Sequence, residues 1–164
     1  MKKISLFILL VVAISSANAQ NKKVSFGVGP SIAVPTGFFQ LANSVGFGAL
    51  GNVYIAQSDQ FELYGQTGVQ IFTGKSLFGE NGGSSTQIPF MGGVRYNTNG
   101  FIIGLGLGGT LYKLGGEPNS TFGFSINPSL GYSFGKFEVN ANYHTTTSDG
   151  VNINYIGIGS AIKF

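Results

Sequence analysis

No cysteine occurs among the 164 residues. That rules out disulfides, thiolate zinc sites, a Cys nucleophile and lipid attachment through an N-terminal Cys. The single histidine, His144, leaves no set of transition-metal ligands. Charge is scarce too: charged residues make up 9% of the chain, against about 25% in soluble domains. A soluble monomer with so uncharged a surface would struggle to stay dispersed. Nine basic residues outnumber six acidic ones, but two of the nine, Lys2 and Lys3, lie in the leader described next, and beyond Lys22 and Lys23 the rest are scattered. The chain therefore lacks a nucleic-acid-binding patch. Beyond the first twenty residues no apolar run is long enough for a spanning helix, which leaves a closed barrel as the only way to cross a membrane. Gly104-x-Gly106-x-Gly108 falls inside an alternating segment and opens no helix, so it makes no dinucleotide site. No cofactor is expected.

What is present begins with Lys2 and Lys3, an apolar run from Ile4 to Ile14, and Ala17-Asn18-Ala19. A basic start, a short apolar core and an Ala-x-Ala site predict a secretory signal peptide over residues 1–19, cleaved before Gln20. The apolar run is too short to serve as a spanning anchor, which needs about 20 residues. Residues 20–164 are then one domain of about 145 residues.

That domain alternates. From Phe122 to Phe134 one parity reads Phe122, Phe124, Ile126, Pro128, Leu130, Tyr132, Phe134, and the other is Gly, Ser and Asn. After Gly135 and Lys136 the pattern resumes as Phe137, Val139, Ala141, Tyr143 against Glu138, Asn140, Asn142, His144. Period two over both arms with a two-residue break predicts a hairpin. Its polar face is small and amide-rich, which suits a barrel with lipid outside and hydrophilic groups within. Should Phe124, Leu130 and Leu105 lie inside and Asn140 and Gln66 outside, the domain would instead be a secreted soluble barrel.

The same alternation predicts strands at Lys23 to Val34, Val45 to Ala56, Phe61 to Phe72, Ile88 to Asn97 and Phe101 to Tyr112, with an eighth ending at Phe164. Longer connections are expected at Pro35 to Ser44, Thr73 to Gln87, Lys113 to Thr121 and Thr145 to Gly150. Tight turns are expected at Gln57 to Gln60, Thr98-Asn99-Gly100 and Gly135-Lys136. The fold class predicted is all-β, an eight-stranded antiparallel up-and-down transmembrane barrel, with both termini at the tight-turn end. Outward Phe61, Tyr96, Phe101, Phe134, Phe137 and Phe164 would ring that end as an interfacial girdle. No charged residue falls on the outward parity of these strands. Pro30 and Pro128 lie within strands and predict bulges or local bends. In the last strand Val151 and Ile153 share one parity while Ile156, Ile158 and Ile162 share the other, which predicts a register shift near Asn154 and Tyr155.

Pro35-Thr36-Gly37-Phe38-Phe39, Gly46-Phe47-Gly48, the Gly-rich fifth strand, Leu130-Gly131-Tyr132 and Tyr155-Ile156-Gly157-Ile158-Gly159 before Phe164 resemble the small outer-membrane β-barrel domain family of Gram-negative bacteria. The resemblance implies the outer membrane as location. It implies outer-membrane lipid and lipopolysaccharide as surroundings, and insertion by the barrel assembly machinery. Gly159, Ile162 and Phe164 stand at the spacing of the terminal assembly signal of such barrels, with Gly157 and Ile162 departing from the usual residue types.

Inward positions near the tight turns carry Glu62, Arg95, Glu138 and Lys163. Antiparallel pairing puts Glu62 opposite Arg95 and Glu138 near Lys163, so two ion pairs are expected to close that mouth; four separately hydrated charges are the alternative. Tyr54, Tyr64, Gln66, Gln70 and Tyr112 would fill the lumen, while the inward glycines leave room for a narrow water-filled bore instead. The function expected is structural or surface-interacting, without catalysis, through loops that expose Phe38, Phe39, Leu77 and Phe78. The alternatives are a narrow passive porin-like channel and, remotely, a lipid A-modifying hydrolase. His144 with Thr146 two residues on is faintly similar to the lipid A deacylases, in which a nucleophilic Ser follows the His by two; Glu138 and Asp149 are the acids at hand. A monomer is favoured.

Overall fold

In the computed structural model, which describes residues 23–76, 82–148 and 150–164, the chain forms one closed barrel of eight antiparallel strands in sequence order. The strands are β1 Val24–Thr36, β2 Asn43–Ala56, β3 Phe61–Gly74, β4 Ser85–Thr98, β5 Phe101–Lys113, β6 Thr121–Phe134, β7 Phe137–Ser148 and β8 Val151–Lys163, with one helical turn, α1 Phe39–Ala42. The expected signal peptide falls on residues outside those described. The barrel closes where β1 pairs with β8. Phe26 and Phe164 complete that seam, each donating its N–H to the other's carbonyl at 3.3 and 2.8 Å.

The faces sort as lipid requires. Phe124, Leu130 and Leu105 point outward and are 55, 63 and 45% exposed, whereas Gln66 and Asn140 are on the inward face. Strands of 12–14 residues exceed the ~9–11 needed to cross a bilayer, so their ends project. The outward ends of β7 and β8 change chemistry accordingly: Thr145 Oγ1 donates to Asn154 Oδ1 at 2.5 Å and Thr147 Oγ1 to Asn152 Oδ1 at 2.8 Å.

Those rungs overturn one expected connection. Thr145 to Gly150 is not a loop: β7 runs to Ser148 and pairs with Val151, because Thr is a good strand former and Asn supplies cross-strand acceptors. The last connection is therefore as tight as those at the other end. Lys113, expected in a loop, is the last residue of β5 at the loop rim.

Two further expectations are revised: the shift in β8 is absent, and the prolines insert no bulge. β8 pairs with β7 in constant register from Val151 to Ile162; Ile153 turns inward beside Tyr155 because the loop end of the lumen is apolar there. Nor do the prolines shift register. Around Pro30, Pro89 and Pro128 the ladder drops out on one side, between Val28 and Ser31 toward β8, between Thr67 and Gln70 toward β4, and between Ile126 and Ser129 toward β7, and resumes in step. The missing donor is absorbed by a local gap rather than by an extra residue. Among the described residues a register shift does occur elsewhere, between Asn43 and Gly46 of β2. This bulge reverses parity, so that Asn43 is buried along with Gly46.

Candidate functional site: the lumen and its two mouths

The tight-turn mouth is built from four strands. Glu62 on β3 lies opposite Arg95 on β4, and Glu138 and Lys163 come from β7 and β8. Arg95 Nη2 donates to Glu138 Oε2 at 2.8 Å and sits 3.5 Å from Glu62 Oε2. Lys163 Nζ lies 3.3 Å from Glu138 Oε2 and 3.7 Å from Glu62 Oε1. Each acid thus touches both bases, and the four charges form one network rather than two separate pairs. Tyr54 forms its platform, with Arg95 Cζ and Lys163 Nζ each 4.4 Å from the ring centroid. Alternation shows that Tyr54 points inward; nothing in it marks the ring as the surface under both cations.

Above this mouth comes a layer of amides. Gln66 Nε2 donates to Asn52 Oδ1 at 2.9 Å, Asn127 Nδ2 to Gln66 Oε1 at 3.4 Å and Asn142 Nδ2 to Asn127 Oδ1 at 2.8 Å. These residues bound a cavity of about 30 Å³, room for about one water. The inward glycines make space for the large side chains facing them. A Cβ on Gly46 would meet the Phe72 ring at 2.6 Å, and one on Gly106 would meet Tyr64 Oη at 2.5 Å.

His144 belongs to the next layer. Its Nε2 lies 3.0 Å from Thr146 Oγ1 and 3.1 Å from Thr110 Oγ1, and Ser125 Oγ joins Thr110 and Thr146 at 2.8 and 2.9 Å. The imidazole stacks on Tyr155 with centroids 4.8 Å apart. All four polar residues are 1% exposed or less. Glu138 is committed to Arg95 and Lys163 near the other end, and Asp149 lies outside the described residues. Geometry therefore brings His144 and Thr146 together but gives the imidazole no carboxylate from Glu138, the orienting acid a triad needs.

The loop end is apolar. Phe39, Phe72, Tyr112, Tyr155, Ile153 and Ala33 pack together with Leu114 against them. Phe39 meets Phe72 edge-on at 4.9 Å and Phe72 lies 5.3 Å from Tyr155. Phe39, expected on the surface, is 5% exposed, because α1 turns it down into the mouth; Phe38 beside it is 85% exposed. Leu77 and Phe78 lie outside the described residues. Over this cluster opens a chamber of about 530 Å³, bounded by α1, Asn43, Lys75, Gly82, Gly83 and the connection after β5.

On the outer wall, Phe61 packs on Tyr96 at 5.0 Å, and Phe101, Tyr132, Phe134 and Phe137 form a run with centroid spacings of 4.9, 4.6 and 6.5 Å. Tyr132, on the same parity, joins the expected girdle. Of the terminal residues, Gly159 faces in, while Ile162 and Phe164 are 50 and 73% exposed.

No family model matches the chain, and no curated protein matches it by sequence. Solved structures do. The outer membrane protein Ail of Yersinia pestis, in a phospholipid nanodisc, superposes with a TM-score of 0.62 at 14% identity, over 88% of this chain and 100% of that one. The N-terminal β-barrel domain of Pseudomonas aeruginosa OprF gives 0.60 at 12% identity, again over 88% and 100%. Neisserial surface protein A gives 0.54 at 11% over the same shares. At those identities the likeness is one of fold, and the fold is that of the eight-stranded transmembrane barrels of Gram-negative outer membranes.

Proposed function

We propose that the chain is an integral outer-membrane barrel without catalytic activity, closed to steady ion flow, that acts through its loop-bearing end. In this reading a signal peptide takes it across the inner membrane. Gly159, Ile162 and Phe164 present it to the barrel assembly machinery, and the tight turns and both termini face the periplasm. Phe38 and its neighbours then stand at the level of lipopolysaccharide.

The observation that carries the closed reading is the pair of barriers in series. The Glu62, Arg95, Glu138 and Lys163 network spans one mouth, and the Phe39, Phe72, Tyr155 stack crosses the other. An eight-stranded barrel is just wide enough for side chains to fill, and the cavity between the barriers holds about 30 Å³. A narrow passive channel would need both barriers to part. Against a lipid A hydrolase stands the buried His144, hydrogen-bonded to threonines and stacked on Tyr155.

Planar-bilayer recording tests the proposal. Purified wild-type protein is expected to give no steady conductance; a large, lasting open level would sink it. Membrane fractionation with accessibility labelling of Phe38→Cys on whole cells tests location and orientation.

A further inference from the structure

The seam that closes the barrel, β1 against β8, is interrupted halfway up the wall. Phe26 and Phe164 exchange both main-chain hydrogen bonds. In an antiparallel ladder such exchanges recur at every second residue, so the register places Pro30 and Ser160 at one of them. Proline has no N–H to give, and the pairing lapses between Val28–Ile162 and Ser31–Gly159. Pro30 is the central residue of β1, at a depth where lipid offers the Ser160 carbonyl no donor in its place. Above the gap six positions pair, Ser31 to Thr36; below it are Phe26, Gly27 and Val28.

On its inner face this lower stretch of β1 is bare, because its inward residues are Gly27 and Gly29. Tyr54 of β2 lies over it instead: a Cβ on Gly27 would meet Tyr54 Cε2 at 3.0 Å. On the Tyr54 ring sits Lys163 of β8, its Nζ 4.4 Å from the centroid and 3.7 Å from Glu62 Oε1 of β3. Lys163 thus reaches from β8 to β2 and β3 across a strand that has no side chain to meet it. At the loop end the Phe72 and Tyr155 rings join β3 to β8 in the same way, above the gap.

We infer that Lys163 is the clasp of the barrel: its ammonium, held by Glu62 and the Tyr54 ring, keeps β8 against β1 where Pro30 has removed main-chain bonding. The mouth charges then have a second task besides closing the lumen, which is to hold the sheet shut. Contact with Glu138 does not serve that task, since β7 and β8 are already joined by a continuous ladder. The contacts that count are those reaching over β1. With the Lys163 and Glu62 side chains 14 and 19% exposed, water weakens their attraction less than it would on an open surface. The clasp is a matter of strand pairing, so it stands apart from whether the mouth conducts.

Amide hydrogen exchange, read by NMR on the full barrel in phosphatidylcholine nanodiscs, tests this. Phe26, Val28, Ile162 and Phe164 report the closing seam. Asn97, bonded to the Gln60 carbonyl, and Ser133, bonded to the Gly100 carbonyl, report two other seams at the same end. Lys163→Met should speed exchange at the four seam amides about tenfold, the worth of one hydrogen bond to a charged group, and leave Asn97 and Ser133 unchanged. Lys163→Arg should keep the wild-type rates. Adding Pro30→Val, which returns the missing donor, should slow the seam of Lys163→Met again. Equal acceleration at all six amides, or none at the four, overturns the inference, and so does a Pro30→Val that gives no protection. A rise in bilayer conductance of Lys163→Met without faster seam exchange would make Lys163 a plug alone, and overturn it as well. Should Lys163→Met fail to give a folded, heat-modifiable band, Glu62→Gln takes its place, with the same expected pattern and the same grounds for rejection.

Discussion

Arg95 and Glu138 come from strands on different sides of the barrel, yet Nη2 and Oε2 meet at 2.8 Å across its axis, with side chains 6 and 2% exposed. Glu138→Ala would leave Arg95 and Lys163 facing each other with only Glu62 to share. Removing one partner of a buried ion pair costs about 3–5 kcal/mol. A lower temperature for the heat-modifiability transition is expected, and Glu138→Gln should recover part of the loss through its remaining hydrogen-bond capacity. A transition unchanged in Glu138→Ala would mean that the network is solvated and adds little.

The glycines divide into two kinds. Gly46 lies under the Phe72 ring, and any Cβ there collides with it, whereas a Cβ on Gly92 meets nothing within 4 Å. Gly46→Val should therefore destabilise by about 1–3 kcal/mol through overpacking, and Gly92→Val should be tolerated. Adding Phe72→Leu should rescue the first variant. Urea titrations of folding into lipid vesicles give the comparison.

Height along the outer wall sets the cost of a charge. Leu105 faces outward near the middle of β5, and Thr147 faces outward at the loop end of β7. Leu105→Arg should cost about 2–4 kcal/mol of folding free energy and Thr147→Arg about 0–1. The same vesicle titration measures both; equal costs would place the hydrocarbon band elsewhere.

His144→Ala should leave lipid A unchanged by mass spectrometry, whether the protein is expressed or absent. It should still lower stability, because Thr110 and Thr146 each lose a buried partner. A loss of about 1–3 kcal/mol is the expected size. A modified lipid A that disappears in the variant would instead make His144 catalytic.

Alternation alone carries most of the fold. Strand number, order, tight turns and the sorting of faces follow from period two plus the scarcity of charge, because lipid outside a closed sheet tolerates little else. Where the alternation was least regular, the structure differs from it. Val151 and Ile153 suggest a shifted β8 because an inward Ile is out of place in a polar lumen; nothing local announces that the loop end of the lumen is apolar. Phe39 and Phe72 are similarly silent, since their partnership joins α1 to β3 across the mouth. Thr145 to Ser148 resembles a loop by composition and is a strand by pairing. Asn43 is illegible altogether: its placement depends on a bulge with no proline or glycine at the extra residue. The mouth charges show the opposite case, since inward parity and strand ends brought them to one level, and only the reach of Arg95 and Lys163 across the axis turned pairs into a network.

The seam between Phe26 and Phe164 ties the opening residues of the barrel to its very last one. Until that seam forms, six of the eight strands can find both neighbours while the outermost two each keep a bare edge. Completion is thus a single late event, and whatever guides the chain to its membrane must shield those edges for the entire interval.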